Sequence, residues 1–121
     1  MNAEPRAVVN CHCDFCRKHN GAAFSTYAVV AESALEITCG QDFLAVFGWS
    51  ENGYKHFCRQ CGTPLYSKNA KYPGLCMVQL GVIDAQHDLT PTANIYCESR
   101  LAWTSDISQI RSFEQGITRS A

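Results

Sequence analysis

The sequence predicts an all-β domain, mainly of antiparallel sheets and stapled by metal, with short helices after Asp14 and near the C-terminus. Three observations carry this. No segment keeps a helical period over three or more turns. Short runs of aromatic and β-branched residues alternate with Gly, Pro and Asn punctuation, as strands and turns do. Five of the eight cysteines fall in two tight clusters, Cys11-His12-Cys13-Asp14-Phe15-Cys16 and Cys58-Arg59-Gln60-Cys61. Soft sulfurs at such short spacings suit Zn²⁺, which takes four ligands in a tetrahedron.

Ala7-Val8-Val9 reads as the end of a strand that delivers the first sulfur. Asp14 to Asn20 reads as a short helix capped by Asp14 and stopped by Gly21 in the left-handed conformation. Ala23 to Val30 is a strand by composition, and Leu35-Glu36-Ile37-Thr38 alternates as a half-buried strand does. Phe43 to Phe47 follows, closed by Gly48. Asn52-Gly53 signals a hairpin that feeds Tyr54 to Phe57 into the second cysteine cluster. Gly62 permits the left-handed turn of a metal knuckle, in which amide N–H groups point at sulfur. Leu65-Tyr66-Ser67 leaves the knuckle as a strand. Tyr72-Pro73-Gly74 is a turn, and Leu75 to Leu80 is a buried strand closed by Gly81-Val82-Ile83-Asp84. From Leu89 to Phe113 the short apolar groups fit one or two strands and a short helix.

Residues 1–121 fit one domain, with enough chain to bury a core. A net charge of −1 gives no electrostatic footprint for nucleic acid or an anionic membrane. The longest apolar stretch, around residues 22–31, is too short to span a bilayer. No basic and apolar leader opens the chain, so the expected location is cytoplasmic and reducing. There, clustered cysteines mean metal rather than disulfides, and a bridge across Cys-x-Cys would be strained.

Spacing admits two arrangements. Cys13, Cys16, Cys58 and Cys61 could close one Cys₄ site, leaving Cys11 spare. Alternatively Cys11, Cys13 and Cys16 hold a zinc with an open fourth position, and Cys58 with Cys61 belongs to a separate site. A closed site is structural, whereas an open one can bind a ligand or do chemistry.

The run from Cys11 through Phe24 (CHCDFCRKHNGAAF), with Phe57 through Tyr66 (FCRQCGTPLY), resembles the glutathione-dependent formaldehyde-activating enzyme family, which includes the centromere protein V-like domains. Gly81-Val82-Ile83-Asp84, Leu89-Thr90-Pro91 and Trp103 extend the likeness over nearly the whole chain from Cys11 onward. The resemblance implies a tent-like all-β fold with two zincs. Cys11, Cys13 and Cys16 would bind the active-site ion, and Cys58 and Cys61 would supply half of a structural one. Family members complete that second site with an upstream Cys-x-Cys. The ten residues before Cys11 contain no cysteine. The second site is therefore expected to be empty, or completed by His56, Cys11 or a neighbouring subunit. Asn94 stands where a histidine is common.

The expected activity is a carbon–sulfur lyase or synthase reaction, condensing a thiol such as glutathione with formaldehyde or a related electrophile. Arg17, Lys18 and Arg59 are the candidates to meet a substrate carboxylate. The alternative is a non-catalytic, zinc-stapled protein-binding module, which predicts a closed Cys₄ site and an exposed apolar patch. Cys39, Cys76 and Cys97 read as small buried hydrophobes, and His12 as turned away from the metal by strand alternation. His87 reads as solvated and Asp84 as a turn cap. Trp49 and Trp103 read as core or rim residues.

Overall fold

The computed structural model describes residues 5–37, 40–83 and 89–117. Its strands are β1 (Ala7–Cys11), β2 (Ser25–Ala31), β3 (Leu44–Gly48), β4 (Gly53–Cys58), β5 (Pro64–Asn69), β6 (Leu75–Gln79) and β7 (Ala93–Ile95), with one α-helix, α1 (Asp14–Asn20). They form a single seven-stranded sheet in the order β3-β4-β5-β6-β2-β1-β7. Every pairing is antiparallel except β1 with β7, which is parallel.

Residues opposite one another on neighbouring strands share a face, so the registers sort the sheet into two sides. Val8, Ala28 and Val78 lie in one row, and Val30 is opposite Cys76, with Tyr66 beside Val78. These six are the buried core, and Leu35, Ile37, Leu44, Leu80 and Val82 pack onto them. The other face carries Cys11 opposite Ser25, Val9 opposite Tyr27, and the row Val29–Met77–Ser67–Lys55–Phe47.

Helix α1 docks on that second face. The Lys55 ammonium donates to the His19 carbonyl, and Asn20 Nδ2 donates to the Ser25 hydroxyl at 2.6 Å. Phe15 stacks on His19 at 4.0 Å and meets the Trp49 ring at 4.5 Å, and His19 faces Phe47 at 6.1 Å. An aromatic cluster thus fixes the helix against the β3–β4 hairpin.

Most expected strands are present, with informative departures. Residues 35–37 are not a strand: a 3₁₀ turn, Glu32–Ala34, precedes them, and Leu35 and Ile37 pack on the core without a ladder partner. Their alternation records alternate burial, while both sides of β2 and β6 are already paired. Asn52-Gly53 does mark the β3–β4 connection, but Gly53 is not in the left-handed region. Glycine is needed there for room, because a Cβ would sit 2.1 Å from Trp49 Cε2. Tyr72-Pro73-Gly74 turns as expected, with Gly74 at φ 79° and Leu75 N–H donating to the Tyr72 carbonyl at 3.3 Å.

The helical segment near the C-terminus is 3₁₀, Ala102–Gln109, interrupted at Asp106. The Thr104 and Ser105 hydroxyls donate to the carbonyls of Leu101 and Ala102, so side chains compete for acceptors that an α-helix would use. Cys76 is a buried hydrophobe, whereas Cys97 is exposed at the surface after β7, contrary to the buried reading. Trp49 is a packing residue of the hairpin, and Trp103 lies exposed. Thr38, Cys39, Asp84 and His87 lie outside the described residues.

Overpacking at the hairpin is testable. Gly53→Ala should destabilise the fold by about 1–3 kcal/mol, seen as a lower urea midpoint. Trp49→Ala in the same chain should remove most of that penalty, so the two losses add up to more than the double variant shows. Additive losses would mean that Trp49 does not cover Gly53.

Candidate functional site

The first cysteine cluster is built where β1 passes into α1. Pairing of Cys11 with Ser25 ends the ladder, and His12 N–H donates to the Ile95 carbonyl at 3.0 Å, so β7 holds the exit of β1. Cys13 then caps the helix. Its sulfur accepts from Cys16 N–H at 3.3 Å, the place the sequence assigned to Asp14. A sulfur at the cap turns the third cysteine back toward the first two, because the turn that starts α1 wraps around it. Gly21, at φ 60°, ends the helix as expected.

The three sulfurs all lie within 4.8 Å of one another, and those of Cys11 and Cys13 are 3.5 Å apart. Tetrahedral Zn–S bonds of ~2.3 Å require sulfur separations of about 3.8 Å. The set therefore fits a zinc ion with little movement. Cys11 is 2% exposed and the other two are half-buried. The Cys16 thiol hydrogen-bonds to the Cys11 sulfur and holds its pKa down to about 6, against the opposing effect of burial. The same bond and burial push the Cys16 thiol upward. One thiolate shared among buried thiols is the donor chemistry a cation would take over from protons.

His12 faces away from the sulfurs, as alternation implied. It is 1% exposed, its ring lies 4.9 Å from Phe24, and Nε2 donates to Asn94 Oδ1 at 3.1 Å. Asn94 Oδ1 also accepts from Asn10 Nδ2 at 3.2 Å, and Asn10 Oδ1 accepts from the Thr26 hydroxyl at 2.6 Å. Asn94 thus ties β7 to the strand that carries Cys11. Sequence reasoning missed this link, because the partners are 82 residues apart and only the parallel register of β1 and β7 joins them.

Cys58 and Cys61 form a separate knuckle. Gly62, at φ 80°, returns the chain so that its N–H donates to the Cys58 carbonyl at 2.7 Å and Cys58 N–H donates to the Thr63 carbonyl at 2.9 Å. The Thr63 hydroxyl lies 3.0 Å from the Cys61 sulfur and lowers its pKa, helped by Cys58. Among the described residues, no third potential ligand joins this pair, and neither sulfur joins the first cluster. A single Cys₄ site is not what the fold assembles. His56 is turned elsewhere, stacked on Tyr66 at 4.3 Å.

The three cationic candidates are not gathered together. The Arg17 guanidinium donates to the Asp14 carboxylate one turn earlier on α1. Arg59 lies over the Phe43 ring at 5.2 Å and donates to the Asp42 carbonyl at 2.8 Å, within the second knuckle. Lys18 is exposed on α1, two residues after Cys16, and has no polar partner among the described residues.

The metal-free, reduced protein should show one thiolate whose ultraviolet absorbance develops as pH rises through about 6. Below that pH Cys11 is protonated, and above it the thiolate persists. Cys11→Ser should abolish this step. A first thiolate appearing only above pH 8, in the ordinary cysteine range, would contradict the shared-proton geometry.

Residues 1–99 match the family model of the glutathione-dependent formaldehyde-activating enzyme. A protein of Podospora anserina named after that enzyme is 38% identical over 61 residues, which are 50% of this chain and 29% of its own length. One from Emericella nidulans, named likewise, is 34% identical over 58 residues, 48% of this chain and 29% of its own. These alignments therefore span less than a third of either relative. A crystal structure of a Rhodobacter sphaeroides protein shares the fold at a TM-score of 0.60 and 20% identity, covering 77% of this chain and 88% of that one. With the paired cysteine motifs and the family match extending over most of its length, the chain belongs to the glutathione-dependent formaldehyde-activating enzyme family.

Proposed function

We propose that this chain is a single zinc-binding domain that joins a thiol, glutathione or one like it, to formaldehyde or a related small electrophile, acting as a carbon–sulfur lyase or synthase. The observation that carries this is the open set of three sulfurs at the β1–α1 junction, which the other cysteine pair does not close. A zinc ion held by Cys11, Cys13 and Cys16 would offer a fourth position where a substrate thiol sits deprotonated at neutral pH.

The chain's own groups account for the rest. Cys16 N–H donates to the Cys13 sulfur and tempers its charge. Burial of Cys11 keeps water from one side of the set. Lys18 is the cation best placed to meet a substrate carboxylate, since Arg17 is held by Asp14 and Arg59 by the Asp42 carbonyl and the Phe43 ring. In the reaction a sulfur–carbon bond forms as the carbonyl π pair moves to oxygen. The oxygen then takes a proton in place of the one the thiol lost. Cys58 and Cys61, which no third potential ligand joins among the described residues, are read as a second site left empty or completed by a neighbouring subunit, and a reducing cytoplasm suits both sets.

The protein-binding alternative draws on exposed apolar side chains at Val46, Phe47, Trp103, Ile107 and Ile110. It also required a closed Cys₄ site, and the separation of Cys58 and Cys61 from the first cluster counts against it.

Formation of S-(hydroxymethyl)glutathione should run faster than the spontaneous reaction with zinc-loaded protein. Cys11→Ser should return the rate to background and remove one equivalent of zinc, while Cys61→Ser should leave that equivalent in place. Fully zinc-loaded protein with no turnover above the spontaneous rate would refute the enzyme reading.

A further inference from the structure

Tyr27 sits in the middle of β2 on the face that carries Cys11. The register places it opposite Val9 on one side and Gln79 on the other, one pleat along from the Cys11–Ser25 pair. Successive same-face residues on a strand are separated by roughly 7 Å, and a tyrosine side chain reaches about that far. The ring is half-buried. Among the described residues the hydroxyl makes no hydrogen bond, and it is not one of the buried polar atoms left without a partner. It is therefore not completely sealed from solvent.

Proximity to the sulfurs is also electrostatic. Burial and then the charges of Cys11, Cys16 and Cys13 all push the phenol's pKa up. All three sulfurs of the cluster act on this one group, and it stays a neutral O–H at any physiological pH. A donor that stays neutral beside the sulfurs can hydrogen-bond an oxygen that gains negative charge there and offset its repulsion by a nearby thiolate.

We propose that Tyr27 is a catalytic hydrogen-bond donor that binds the oxygen of the small carbonyl substrate. Its O–H points to the carbonyl oxygen while the thiol sulfur attacks the carbon. As the sulfur–carbon bond forms, the π pair settles on oxygen, and the phenol stabilises it without giving up its own proton. The oxygen is protonated from water, which balances the proton released by the thiol. The site is thereby selective for an electrophile with a hydrogen-bond-accepting oxygen one bond from the reacting carbon. This rests on the reading of Cys11, Cys13 and Cys16 as an open metal set.

The test compares Tyr27→Phe with the parent protein, which differ by one hydroxyl. Cobalt-loaded forms of each are titrated with mercaptoethanol and with propanethiol, followed by sulfur-to-cobalt charge-transfer absorption. The two thiols differ by a hydroxyl in place of a methyl. The preference for mercaptoethanol over propanethiol should fall about 3–10-fold in Tyr27→Phe, the worth of one hydrogen bond. Turnover with formaldehyde should fall roughly 10–100-fold, somewhat less than the loss seen when a fully enclosed oxyanion donor is removed. Tyr54→Phe, at the exposed position of β4, should change neither.

An unchanged thiol preference together with unchanged turnover would overturn the role of Tyr27 while leaving the enzyme reading intact. A shifted preference in a protein that does not outpace the spontaneous reaction would support the Tyr27 contact and refute the enzyme reading instead.

Discussion

The geometry of this protein depends on one hydrogen bond to sulfur, from Cys16 N–H to Cys13 Sγ. A helix of seven residues has too few internal bonds to stand alone, and its first amides need an acceptor. The acceptor here is a cysteine that also belongs to the three-sulfur group able to hold a metal. Forming the helix and gathering the sulfurs are therefore the same event. An ion on these sulfurs would stabilise α1, and unfolding α1 would release the ion. The aromatic contacts of Phe15 and His19 with the β3–β4 hairpin pass that dependence to the far edge of the sheet.

The sheet divides its labour by face. Six buried residues on one side supply the hydrophobic core, and the other side carries the sulfurs, the helix and a run of half-buried side chains between them. The core side has few large residues, with Val30 and Cys76 among the few that are wholly shielded. A core this modest gives limited stability on its own. An ion held by Cys11, Cys13 and Cys16 at the opposite face would then contribute to stability as well as to chemistry.

Local signals were legible in the sequence wherever one stretch of chain decides the outcome. The strands at β1, β3, β4 and β6, the terminator Gly21 and the knuckle Gly62 follow from neighbouring residues and backbone sterics. Spacing alone left open whether Cys58 and Cys61 join the first cluster, because it says nothing about where two distant turns meet; only the family resemblance implied their separation. Leu35 to Ile37 misled for a related reason: alternation reports burial, and a strand also needs a free neighbour. Asp14 was the better cap by composition, and Cys13 took the position because the sulfur had to be there anyway. The His12–Asn94 contact depends on a parallel pairing that only the assembled sheet reveals.

The proposed chemistry would follow from what three sulfurs do to a bound metal's charge. Three thiolates on a divalent ion leave a net charge of about −1, a poor setting for polarising a carbonyl directly. Such a centre is better at holding a fourth thiolate than at activating the electrophile. In the proposed reaction, activation of an aldehyde would then come from the protein, through a donor that stays neutral close to thiolate sulfur. A lysine there would be drawn into an ion pair, and a carboxylic acid would face strong pressure to remain protonated without offering a rigid donor. A phenol in the middle of a strand would meet that requirement, and the register sets Tyr27 between Val9 and Gln79, one pleat along from the Cys11–Ser25 pair.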